Sequence, residues 1–298
     1  MGQATRTEPV QWEMTPAGWI KAQFDQQQHQ EVVMQQESTD FIVMTMNLRF
    51  GLAQDRMNRW ELRKSMVSRI LETYPADFLR FQEVNHFQAE HLCRVLKEHN
   101  HIGWHSKNVS WWQCNMIFYH NSWTCLEQNH YFLSRTPGME SKLPGSKWPR
   151  QCVVGRFQKQ GVELIVVNTH FDFKPGVQKE SADLVMGFLS RFPGKIGCIV
   201  TGDFNANPGS PAYERFMVNG FHEVFAGRSV STFHEFQGKE TGKHIDWILF
   251  RGGFVNTFKE VITDAFNGRY PSDHFPVRAG FSFFSVPPGK GDGEEGGQ

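Results

Sequence analysis

Five short segments carry residue types that belong to phosphoester chemistry. Pro271-Ser272-Asp273-His274-Phe275-Pro276 sets a carboxylate beside an imidazole between two prolines. Gln82-Glu83-Val84, Asn168-Thr169-His170-Phe171-Asp172 and Gly202-Asp203-Phe204-Asn205 each end an apolar run in an acid, an amide or an imidazole. His244-Ile245-Asp246-Trp247-Ile248 places an acid where an apolar run begins. The set is what a metal-dependent phosphoester hydrolase would require.

Glu83 closes a run that is otherwise mostly apolar, and a carboxylate buried there without a partner is costly. An ion resolves that conflict, and so does a salt bridge to Arg49 or Arg80. Mg²⁺ takes hard oxygen ligands, one or two carboxylates with water and phosphate completing the shell. Asp273 can supply a second carboxylate and Asn47 an amide oxygen; taken alone, Asn47 also suits a turn or cap. Asp203 and Asn205 lie two residues apart, on one side of an extended chain. That spacing suits an acid that takes a proton from water and an amide that orients it, or an acid that merely caps a loop. His274 can donate to a phosphoryl oxygen if a carboxylate fixes its tautomer, and Asp246 is the candidate for that role. His170, with Asp172 two residues on, is a second imidazole at the end of a run.

The elements that must position these groups are legible as apolar periodicity. Strands are expected at 41–48, 77–84, 115–120, 152–157, 163–169, 196–203, 244–250, 254–262 and 275–283. Helices are expected at 60–74, 88–99, 177–192 and 210–219, the last opened by Ser210-Pro211. Many strands with a few amphipathic helices imply an α/β (α+β) sandwich, two packed and mainly antiparallel sheets with helices on the outer faces. One domain is expected over residues 39–285. A polar, Gln-rich arm precedes it at 1–38, and a Gly-rich charged tail follows at 286–298, read as disordered. The stretch from Ser134 to Gln151 fits no strand or helix and carries Arg135, Lys142, Lys147 and Arg150; such a loop is expected to overhang the site. Arg49, Lys142, Arg150 and Asp172 are the candidate substrate contacts. Trp111-Trp112 either stack a base or sugar, or pack in a surface loop.

Bulk composition excludes several classes. Lys+Arg and Asp+Glu are both 31, so the chain lacks the basic excess with which proteins grip long duplex DNA. A small phosphoester or short nucleic acid suits it better. Five scattered cysteines without a Cys-x-x-Cys suggest reduced thiols in a cytoplasmic protein. No apolar run approaches the ~18 residues of a membrane helix.

Taken in this order, the motifs resemble the endonuclease/exonuclease/phosphatase superfamily, from Phe41 to about Phe283. The resemblance implies a DNase I-like four-layer α/β sandwich. It implies a catalytic Mg²⁺ or Mn²⁺ held by Asn47, Glu83 and Asp273, with His170 on the scissile phosphate. Asp203 would activate water, Asn205 would assist, and Asp246 would orient His274. Departures narrow the branch. Abasic-site endonucleases carry an acid two residues after the metal-binding Asn, where this chain has Arg49. Inositol 5-phosphatases carry a Pro-Ala-Trp-Cys-Asp-Arg block, where it has Lys243-His244-Ile245-Asp246-Trp247. The chain is most similar to a broad bacterial-type branch, although Gln54-Asp55 stands where that branch commonly has Asp-Gly. The expected activity is hydrolysis of a phosphodiester; the alternatives are a monoesterase on a sugar, inositol or lipid headgroup, and an inactive binding scaffold.

Overall fold

The computed structural model describes residues 39–103, 112–228 and 230–284. The arm read over 1–38, the tail over 286–298 and Trp111 lie outside them. In chain order the elements are β1 (Phe41–Asn47), α1 (Trp60–Thr73), β2 (Phe78–Val84), α2 (His86–Val95), β3 (His99–Ile102), β4 (Cys114–His120), β5 (Thr124–Phe132) and β6 (Gln151–Lys159). They continue with β7 (Val162–His170), α3 (Pro175–Leu189), β8 (Gly197–Asp203), α4 (Pro211–Met217), β9 (His222–Glu223), β10 (Asp246–Arg251), β11 (Phe254–Val261) and β12 (Val277–Phe283).

The strands form two six-stranded sheets, ordered β11-β12-β1-β2-β4-β3 and β5-β6-β7-β8-β10-β9. Each is mixed, with one parallel pair, β1 with β2 and β7 with β8, among antiparallel neighbours. Each parallel pair is bridged by a helix, α1 or α3, as a parallel connection demands. The sheets pack face to face through Phe41, Val43, Phe78 and Ile117 on one side and Phe157, Leu164, Val166, Ile199 and Ile248 on the other. Helices α1 and α2 cover the outer face of the first sheet through Val67, Ile70, Leu71, Ala89 and Leu92. Helices α3 and α4 cover the second through Ala182, Val185, Leu189, Ala212 and Phe216. The result is the four-layer sandwich that the strand and helix pattern implied.

Where the structure departs from the sequence reading, the causes are local. The second helix begins at His86 and ends at Val95, not at 88–99. Asn85 caps its start, with Gln88 three residues inside answering the Asn85 N–H at 2.9 Å, a reciprocal capping box. His99 instead opens β3. The unforeseen strands β3, β5 and β9 all lie at or beside a sheet edge. An edge strand buries little on either face, so β5 reads Thr-Cys-Leu-Glu-Gln-Asn-His without apolar alternation.

Edge strand β9 carries a buried acid, Glu223, whose Oε1 is 3.6 Å from His244 Nε2. Burial pushes Glu223 up to about 7 and His244 down to about 4, so the contact is not an ion pair. A carboxyl raised in the folded state favours folding at low pH, and that advantage is lost as pH rises from 4.5 through about 7. Glu223→Gln should therefore stabilise the fold more at alkaline pH than in mild acid, by about 3 kcal/mol at most, and raise the thermal midpoint accordingly. Thermal melts at several pH values test this; an equal gain at every pH would rule it out.

Candidate active site

Topology brings the five segments to one edge. β1, β7 and β8 end there in Asn47, His170 and Asp203 and β2 one residue past Glu83, while antiparallel β10 and β12 begin there at Asp246 and three residues past His274. Across the ladders Asp203 is level with His170 on one side and Asp246 on the other. Gly202, at φ 149°, permits this close approach: a Cβ there would lie 1.9 Å from the Thr169 carbonyl oxygen.

Asp203, Asp246 and His274 form a buried cluster whose donor atoms lie within 4.8 Å of one another. His274 Nδ1 donates to Asp246 Oδ2 at 2.8 Å, and Nε2 faces Asp203 Oδ2 at 3.8 Å. Three such groups can ligate a metal, but the short bond already uses one atom each of His274 and Asp246. The cluster is better described as an acid–imidazole–acid relay. Burial works against the His274 cation, yet Asp246, then Asp203 and Asp273, outweigh it and raise its pKa. Burial likewise raises Asp203 out of the usual carboxylate range, opposed by His274.

Asp203 is held by three further contacts. Asn47 Nδ2 donates to Oδ2 at 3.0 Å, the Asn205 N–H donates to Oδ1 at 2.9 Å, and His170 Nε2 lies 3.4 Å from Oδ2. Burial, then Arg150 and His274, holds His170 well below its ordinary pKa, so this last contact joins a neutral ring to the acid. The Asn205 amide donates to the Phe171 carbonyl at 3.0 Å and reaches His170 Nε2 at 3.2 Å.

Glu83 enters the cleft by breaking the alternation of its strand. Leu79, Phe81 and Val84 pack under the helices, and the β2–β4 register shifts between Phe81 and Val84. Within that bulge Glu83 takes φ 62°, a conformation uncommon for a side chain of its size, and joins the cleft lining with Asp203, Asp273 and Arg49. Arg49 and Asn205, at φ 60° and 50°, are similarly bent. Such departures gather at sites that need them. Glu83 accepts from the Phe50 N–H at 2.5 Å and from Asn47 Nδ2 at 3.3 Å. Among the described residues it makes no ion pair, because Arg80 is buried between the sheets and Arg49 binds Asp55 twice at 2.9 Å and Asp273 at 3.5 Å.

The donor set therefore fits a hard divalent cation: Glu83, Asp203 and Asp273 share a cleft whose lining also carries Glu235, Arg49 and Lys243. Asn47 turns its amide nitrogen to Glu83 and Asp203, while its oxygen accepts from the Arg49 N–H at 2.8 Å. Here it links the two acids.

Four substrate contacts were expected, and two of them do not line the cleft. Arg49 and Arg150 do. Lys142 does not: its ammonium donates to the Lys147 carbonyl at 3.3 Å, and Lys147 lines the cleft instead. Asp172 accepts from the Lys147 N–H at 2.7 Å, Ser146 Oγ at 3.1 Å and the Lys174 N–H at 3.3 Å. Burial opposes its charge, but these donors prevail and keep its pKa low. Asp172 thus clamps the overhanging loop, a contact across about 25 positions that its own segment does not reveal. Trp112 is buried in the cleft wall.

Sequence reading also missed Arg63. Its guanidinium donates to the carbonyls of Leu48, Arg49, Asn58 and Pro271, tying the segment after Asn47 to the one before Asp273. Its place among buried Trp60, Met66, Val67 and Ile70 on α1 was the available signal. Ser272 does similar work, donating to the Asn47 carbonyl at 2.6 Å.

A four-layer sandwich with acids, amides and imidazoles gathered at one sheet edge defines a phosphoesterase-type fold. Residues 44–274 match the endonuclease/exonuclease/phosphatase family, and the chain belongs to it. No curated protein is significantly similar in sequence. Among solved structures, an endonuclease/exonuclease/phosphatase family protein from Bacteroides thetaiotaomicron is 27% identical with a TM-score of 0.76, covering 82% of this chain and 98% of its own. A mannosyl-6-phosphatase from the same organism is 26% identical with a TM-score of 0.76, covering 82% and 100%. TDP2 from D. rerio, complexed with a single-strand DNA product, shares the fold at 16% identity and a TM-score of 0.65, covering 81% and 98%. No helix among the described residues is long and apolar enough to cross a membrane.

Proposed function

We propose that this protein hydrolyses a small or short phosphodiester with the help of Mg²⁺ or Mn²⁺. The observation that carries the reading is the Asp246–His274–Asp203 relay opening on the same cleft as Glu83 and Asp273. Glu83 and Asp273 would hold the ion, with Asn47 beside them. A bound divalent cation supplies charge neutralisation at the phosphoryl group and at the departing oxygen.

The protein's own groups act around it. Asp203, raised by burial, accepts a proton as water attacks phosphorus, and Asn205 orients that water. The bond from phosphorus to the leaving oxygen breaks opposite the attack, and solvent protonates the alcohol released. His274, kept cationic and aligned by Asp246, donates from Nε2 to the charge that builds on the phosphoryl oxygens. His170, Arg49 and Arg150 line the path of the phosphate. An inactive scaffold is disfavoured because no member of this set is replaced. A monoesterase is the second reading, favoured by the family relative that is a mannosyl-6-phosphatase. The five free cysteines support a cytoplasmic setting.

The test is hydrolysis of bis(p-nitrophenyl) phosphate, p-nitrophenyl phosphate, sugar phosphates and short oligonucleotides with Mg²⁺ and Mn²⁺. Turnover is expected to need the ion and to stop with chelator, while the thermal midpoint holds because the three apolar layers do not depend on the site. Full activity in excess chelator after dialysis would remove the metal from the reading, and cooperative melting on chelation would make it structural.

A further inference from the structure

Beyond the relay the cleft widens into a cavity of about 490 Å³. Both spaces are lined by Arg49, Glu83, His170 and Phe173, so one runs into the other. The walls of the wider space are aromatic, with Phe50, Trp112, Trp148 and Phe173. Trp112 is buried and forms a backing, whereas Trp148 and Phe173 are 51% and 57% exposed. A lone exposed ring needs no explanation, but two facing one bay with a buried indole behind them do. Each exposed ring has a cation over it, Lys147 5.4 Å from the Trp148 centroid and Arg150 5.3 Å from that of Phe173.

Arg150 supplies an independent observation. Only 7% exposed, it lines the bay, its Nε has no hydrogen-bond partner, and among the described residues it makes no ion pair. A buried guanidinium left in this way is stabilised by an anion that arrives from outside. Asp172 holds the loop that carries Lys147, Trp148 and Arg150, so these groups are positioned before any ligand comes.

Resting on the phosphoesterase reading above, we propose that this bay is the leaving-group subsite and that it takes a single sugar ring, the preferred substrates being phosphate esters, diester or monoester, whose leaving alcohol is a sugar. In-line displacement sets the direction. Water activated at Asp203 attacks from the relay side, so the leaving oxygen departs away from it. Arg49, Glu83 and His170, shared by the two spaces, mark the position of the phosphate, and the bay continues beyond them. Its volume lies in the range of small-ligand pockets. A sugar ring lays its C–H face on Trp148 or Phe173 and turns its hydroxyls to the side chains of Gln113, Asn115 and Gln151, which also line the bay. Arg150 meets the phosphoryl oxygens from the same side.

The experiment compares glucose 6-phosphate, adenosine 5′-monophosphate and ringless glycerol 3-phosphate as substrates or as inhibitors of a chromogenic ester, with Mg²⁺ present. Glucose 6-phosphate is expected to have a KM or Ki roughly tenfold or more below that of glycerol 3-phosphate. Trp148→Ala and Phe173→Ala should each raise its KM far more than they lower kcat, so the preference over glycerol 3-phosphate collapses toward one. Both rings are half-exposed, so the variants should fold, and circular dichroism checks this. Chromogenic turnover without preference for a ring, or with a preference that ignores both substitutions, overturns the sugar subsite and leaves the phosphoesterase reading standing. A preference for adenosine 5′-monophosphate also overturns it, in favour of a base. Absence of turnover on every ester defeats the phosphoesterase reading, and calorimetric binding of glucose 6-phosphate, lost in Trp148→Ala, would still decide the bay.

Discussion

Asp203→Asn should lower kcat by roughly 10²–10⁴-fold, the range associated with a positioned general base. The change keeps the size of the side chain: its one remaining oxygen can still accept from the Asn205 N–H, while its NH2 replaces the oxygen that met Asn47 Nδ2. It removes the charge proposed to take the proton from water. Affinity for an anionic substrate should hold or tighten, because one of the carboxylates lining the cleft is gone. The measurement is kcat and KM side by side on one substrate, with the thermal midpoint as a control. Equal rates for wild type and variant would mean that water is activated elsewhere. Tight binding with no turnover by either would restore the inactive scaffold.

Loss of the imidazole should have an effect of comparable size. His274→Ala removes the donor proposed to meet the phosphoryl oxygens, and Asp246→Asn weakens the same donor from behind by disturbing its tautomer and charge. Both should depress kcat more than they raise KM, since the interaction strengthens as charge builds in the transition state. The double variant should be scarcely worse than His274→Ala alone, because Asp246 acts through a ring no longer there. Additive losses would instead give Asp246 a separate role, such as direct ligation of a metal within the Asp203–Asp246–His274 cluster.

These expectations depend on how far the site could be read along the chain. Apolar runs identified β1, β2, β7, β8 and β10 to within a few residues, because each is buried on both faces and leaves a continuous hydrophobic signal, whereas β12 is legible by the alternation of Val277, Ala279 and Phe281. Those strands carry or adjoin the chemistry, so Asn47, Glu83, His170, Asp203, Asp246 and His274 could be named from strand ends alone. Edge strands β3, β5 and β9 bury too little to leave a pattern. Arg63 was hidden for the opposite reason: it lies on a buried helical stripe where a charged residue breaks the apolar rule, and its partners are carbonyls, which carry no sequence identity.

The amino-acid sequence by itself determined the family, the layers and the groups that meet, since burial periodicity and residue type are local properties. Only the tertiary structure decided what each group does on arrival. A bulge and a positive φ turn Glu83 into the cleft against its strand's alternation. The Asn47 amide faces two acids with its nitrogen, Asp172 accepts from the overhanging loop, and Lys147 lines the cleft where Lys142 was expected. Each of these is a choice of direction over a few ångströms. It is set by contacts between residues far apart in the chain, and no spacing along one segment encodes it.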